Sequence, residues 1–109
     1  MQIVLTIPDQ VWNEDPTYSI FFEKLQEMVN RMAMSHYKYG RIDNNAKLGL
    51  IDEMKSGRKR LAMYEETGNT ENLLDAANFF VIEATYPQHP KAHFKAQTSK
   101  QSPGLEYNK

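Results

Sequence analysis

The stretch NTENLLDAANFFVIEATY, Asn69 to Tyr86, constrains the fold most, because its apolar residues recur at helical spacing. At about 100° per residue, Leu73, Leu74, Ala77, Phe80, Val81 and Ala84 share one continuous face. Glu71, Asp75 and Asn78 fall in a separate stripe, within roughly 60° of one another, that borders this face through Leu74. Two carboxylates and an amide in line make an all-oxygen set of the kind that holds hard cations. The same pattern also describes the ordinary polar edge of an amphipathic helix, where Glu71 suits a first turn on dipole grounds alone. Spacing by itself leaves both readings open, so the other segments have to be weighed for complementary chemistry.

Two further helices precede this one. Asp15-Pro16 is a helix start, with Asp as cap and Pro at the first helical position, and Gly40 is a stop. The spacing predicts a helix over 16–39 with Tyr18, Phe21, Phe22, Leu25, Met28, Val29, Met32 and His36 inward. Glu23, Lys24, Glu27, Asn30 and Arg31 face away. His36, on the inner face near the C-terminal end, reads first as a core histidine capping carbonyls and second as a ligand. A second helix is predicted over 46–66, ending at Gly68, with Leu50, Ile51, Met54, Leu61 and Ala62 inward. Gly49 and Gly57 weaken it by roughly 1 kcal/mol each relative to Ala, and Gly57 lies where another backbone could approach closely.

Charges interrupt that inner face. Lys47, Arg58 and Glu65 project within roughly 20° of one another. An inward guanidinium needs a carboxylate such as Glu71 or Asp75, or an anionic ligand, unless it runs along the core edge to water. The third helix is predicted over 70–86.

The ends differ from this helical body. Met1 to Ile7 reads as a short strand closed by Pro8, with no partner strand elsewhere, and Trp12 as a packing anchor in a polar loop. Residues 87–109 hold three of the five prolines and no helical periodicity, so they read as an irregular arm anchored by Phe94, Leu105 or Tyr107. The chain thus divides into one helical domain, 1–86, and an arm, 87–109. His89 and His93 are four apart but separated by Pro90 and lack a third ligand, which makes zinc a poor reading.

Bulk properties exclude several classes. With 109 residues the chain is one domain. A net charge of −1 gives no push toward nucleic acid or a membrane surface, and no apolar run approaches the roughly 20 residues of a membrane span. No cysteine is present, so disulfides and thiolate metal sites are out. The N-terminus lacks the pattern of a signal peptide, and a cytoplasmic location is expected, the host cytoplasm if the chain is phage-encoded.

The run RLAMYEETGNTENLLDAANFFVIEA, with HYKYG upstream, resembles the small MazG-like all-α proteins, including short phage-encoded versions. In that family a helix with an acidic EExxE pattern packs beside one with ExxD. Their carboxylates hold Mg²⁺ against a nucleoside triphosphate, and water cleaves between the α and β phosphates. The resemblance covers about half of the chain, from His36 to Ala84. It implies Glu71 and Asp75 as metal ligands and catalytic residues, here spaced E-x-x-x-D, with Asn78 and the cations Lys47 and Arg58 on the nucleotide. For the first motif the chain offers Glu23 and Glu27, both turned outward, or Glu65 and Glu66 at a helix end. Two carboxylates on one helix leave much of an octahedral Mg²⁺ shell unfilled.

The expected architecture is therefore an all-α, three-helix antiparallel bundle with a short N-terminal strand, completed by homodimerisation into a four-helix-type core. The expected function is nucleotide binding, with Mg²⁺-dependent pyrophosphohydrolysis as its catalytic form. The competing expectation is a non-enzymatic phage-type accessory protein that binds and inhibits a host protein through its ends.

Overall fold

A computed structural model describes residues 1–96. It is helical throughout its ordered body: α1 (Asp9–Glu14), α2 (Thr17–Tyr39), α3 (Ile42–Lys47), α4 (Glu53–Thr67) and α5 (Glu71–Thr85). None of these helices is long and apolar enough to cross a membrane.

The long helix begins where Asp15 and Pro16 place it. The Asp15 carboxylate accepts the Thr17 N–H at 2.9 Å, and Pro16 already has helical torsions of −64° and −14°. Donation from Thr17 holds the Asp15 carboxyl below its usual range. Gly40 stops α2 at a φ of 85°, its N–H bonded to the His36 carbonyl.

The second predicted helix is instead two. After α3, the Leu50 N–H bonds the Asn45 carbonyl and the Gly49 N–H bonds Ala46, with Gly49 at a φ of 64°. That is a Schellman stop with glycine in the left-handed position. Asp52 then accepts the Lys55 N–H and starts α4 afresh. A stop signal and a start signal three residues apart outweigh the apolar spacing that joins the two segments.

Helices α4 and α5 form an antiparallel hairpin, turned at Gly68, whose φ is 74°. Gly57 faces Phe80 across it, and a Cβ at Gly57 would meet the Phe80 ring, with Cδ1 at 2.9 Å. The close approach expected at Gly57 is thus to an aromatic ring and not to a backbone. Helix α2 packs on α5 and hardly touches α4. It runs in the same sense as α5: Met28 meets Asn78, while Met32 and His36 lie beside Ile82 and Tyr86.

On a helical wheel, the α5 residues facing α2 and those facing α4 are roughly 150° apart. Helix α5 therefore meets α2 and α4 on different faces, and α2 and α4 share little direct contact. Among the described residues the fully buried apolar side chains are Ala46 and Ala76 only. The inner face expected of α2 is partly open, with Phe21 54% and Val29 58% exposed and His36 exposed as well. On α5, Val81 and Ala84 are exposed too.

The N-terminal strand does not form. Residues 1–8 have no regular structure, and Ile3, Val4 and Leu5 are exposed. No second strand exists among the described residues for them to pair with. Trp12 lies in the short helix α1 and not in a loop, tilted against Phe22 with ring centroids 5.8 Å apart. Of the arm's expected anchors, Phe94 is exposed, and Leu105 and Tyr107 lie outside the described residues.

Candidate functional site

The α2–α5 seam brings the acidic stripe to a single point. Glu71 opens α5, its N–H bonded to the Asn69 side chain, and Asp75 follows one turn later on the same side. Arg31 of α2 reaches both. Its Nε donates to Asp75 Oδ1 at 2.6 Å, and its Nη2 donates to Asp75 Oδ2 at 3.1 Å and to Glu71 Oε1 at 2.5 Å. Three carboxylate oxygens thus converge on one guanidinium. Asp75, with its side chain 18% exposed, is the better shielded acid. Donation to Asp75 raises the Arg31 pKa further, so this side chain is a permanent cation.

Asn78 completes the stripe differently. It is buried and its Nδ2 donates to the Met28 carbonyl at 3.1 Å, which ties the two helices together instead of presenting an amide to a ligand. The three stripe residues are therefore one unit geometrically, and each bonds α2.

The cations expected beside them are elsewhere. Arg58 is exposed on α4 and not inward, and the guanidinium on Glu71 and Asp75 comes from Arg31, a residue expected to face away. The wheel of α2 taken alone places Arg31 about 120° from the centre of the apolar stripe. A long side chain at such an edge can still reach a neighbour. An aligned acid pair with no cation opposite it on its own hairpin was the signal for a partner from a third helix. Lys47 is exposed at the end of α3, its Nζ 5.6 Å from the Tyr86 ring centroid.

The fit of Mg²⁺ follows from these donors. With Arg31 seated, the positive charge that Glu71 and Asp75 attract is already supplied. No cluster of three acidic or histidine side chains suited to a metal occurs among the described residues. The seam as built is a salt-bridged clamp in which Arg31 engages the oxygens that Glu71 and Asp75 would offer a cation.

One buried acid was not anticipated. Glu53, in the first turn of α4, is 1% exposed, and its Oε2 has no hydrogen-bond partner among the described residues. A carboxylate there gains from the α4 amide dipole but loses its hydration. In the sequence it passes as a polar residue following Asp52.

Comparison with family models, with curated proteins and with solved structures gives no match for this chain.

Proposed function

We propose that the chain works as a non-catalytic helical interaction protein, assembled as a homodimer and completing its core against another protein surface. One observation carries this reading: among the described residues only Ala46 and Ala76 are fully buried apolar side chains, while Phe21 and Val29 of the α2 apolar stripe are open to solvent. Apolar burial is the dominant favourable term in folding, and a chain exposing that much of its apolar stripe gains more of it by association. Binding and inhibition of a host protein, as in a phage-type accessory role, is the function this surface suits. Light scattering on the purified chain is expected to give at least twice 12.7 kDa. Co-purification from host lysate is expected to recover a protein that Val29→Glu releases. A monomeric chain that retains no protein would refute the proposal.

A nucleotide-binding role of MazG-like type is the second reading, favoured by the convergence of Glu71 and Asp75 oxygens on one cation at a helix seam. Because Arg31 fills the cation position, binding is better supported than pyrophosphohydrolysis. Incubation with Mg²⁺ and a panel of nucleoside triphosphates separates the two, with thermal stabilisation and no pyrophosphate release as the expected outcome.

A further inference from the structure

Two grooves meet at the C-terminal end of α5, away from the Arg31 clamp. The first, of about 420 Å³, lies between α2, α3 and α5, with Met32, Ile42, Val81 and Ile82 in its wall and His36 and Arg41 among its polar groups. The second, of about 490 Å³, is bounded by Lys47, Gly49 and Gln88. Thr85 and Tyr86 line both, so the two grooves adjoin at Tyr86, and together they are treated as one trough. Ligand sites occupy this range of volume and combine apolar walls with a few polar groups.

The charges along the trough are unequal. Arg41 grips Asp43 as a fork, Nε to Oδ1 at 3.0 Å and Nη2 to Oδ2 at 2.6 Å, and Asp43 also accepts the Asn44 N–H at 2.8 Å. That leaves the Arg41 Nη1 amino group uncommitted among the described residues. Lys47 stands over Tyr86 with no carboxylate within ion-pair distance among the described residues. Two cations face one acid: Arg41 lines the first groove, Lys47 the second, and both act on Asp43. Apolar surface and an aromatic ring flanked by a net positive charge form a complementary surface for a flat ring that carries a phosphate.

We propose that this trough binds an aromatic or heterocyclic phosphate, such as a nucleoside monophosphate. The ring lies against Met32, Val81 and Ile82, and the phosphate accepts from Arg41 and Lys47. The site uses neither Glu71 nor Asp75 and requires no metal. It goes beyond the interaction reading, and it moves the anion-binding role that the sequence assigned to Lys47 and Arg58 onto Lys47 and Arg41.

The test is titration of the full chain with AMP in the absence of divalent ions, by calorimetry and by NMR. Shift changes are expected at Val81, Ile82 and Tyr86. Replacing both cations (Arg41→Gln with Lys47→Gln) is expected to weaken binding by about tenfold or more. A charge-matched pair on the outer surface of α4, Lys55→Gln with Lys59→Gln, is expected to change it less than about twofold. Both pairs lie on exposed positions, and circular dichroism confirms that each variant folds. Inorganic phosphate binding as tightly as AMP would overturn the ring-binding half of the proposal. Equal weakening in the two pairs would show a nonspecific charge effect and overturn it. AMP binding that survives loss of Arg41 and Lys47 but fails in Asp75→Asn would place the nucleotide at the clamp instead. Absence of AMP binding refutes the trough, whereas the interaction reading stands or falls on oligomeric mass and co-purification.

Discussion

Arg31 holds α2 on α5 through bonds to two acids, so its removal tests what the acids do when uncovered. In Arg31→Met, Asp75 and Glu71 are left close together without a cation. Half-shielded charges of this kind are screened by water, and a loss of about 1–2 kcal/mol is expected, read as a lower midpoint in thermal or urea unfolding. The same variant frees the Glu71 and Asp75 oxygens that Arg31 occupies in the wild type. Millimolar Mg²⁺ is expected to restore part of the lost midpoint in Arg31→Met and to leave the wild type unmoved. Glu53 offers the opposite test. Its buried Oε2 has no partner among the described residues, so Glu53→Gln removes a carboxyl from an unpartnered site at nearly constant volume. A gain of about 1 kcal/mol in urea unfolding is expected; a loss would mean that the carboxylate is paired in the assembled protein. At this scale the helix boundaries were legible, because Asp15, Gly40 and Gly68 act through backbone chemistry that no distant segment alters. Arg31 and Glu53 were not. The partners of Arg31 lie on α5, 40 residues along the chain at the nearest bond, and the burial of Glu53 has no local mark in the sequence.

Between elements, the α4–α5 hairpin is the best-packed contact, and its tightest point is Gly57 against Phe80. Gly57→Ala gains helix propensity of roughly 1 kcal/mol but forces a methyl into the ring. Overpacking of this kind typically costs about 1–3 kcal/mol, so net destabilisation is expected. Trimming the ring in the double variant Gly57→Ala, Phe80→Leu is expected to recover more than half of the loss. Calorimetric melts of the single and double variants check this. The third helix was readable almost to the residue, because its apolar periodicity is unbroken from Leu73 to Ala84. The division of the second helix was written in Gly49 and Asp52 but masked by apolar spacing that runs across both. The N-terminal strand was misread because β-branched composition describes a willingness to pair and supplies no partner.

For the whole molecule, the all-helical class was legible and the common core was not. Periodicity assigns each helix an inner face without saying whether three such faces meet. Here α2 and α4 each pack on α5 and share little contact with one another, and part of the α2 face stays open. If a second copy covers the α2 stripe, stability depends on concentration. The melting temperature of the wild type is expected to rise with protein concentration over a hundredfold range, and that of Val29→Glu to be lower and flat. A wild-type midpoint independent of concentration would place the open stripe on a surface that copies of this chain do not share.

Gln88 lies two residues beyond the boundary that composition suggested between body and arm. Its backbone N–H bonds the Glu83 carboxylate at 2.8 Å, and its side chain donates to the Ile51 carbonyl at 3.0 Å. The beginning of the arm therefore straps the exit of α5 to the link between α3 and α4. Shortening the protein to Ala96 is expected to leave hydrogen exchange at Ile51–Lys55 unchanged, whereas ending it at Tyr86 should speed exchange there. The smallest autonomous folding unit accordingly reaches past the first proline of the tail.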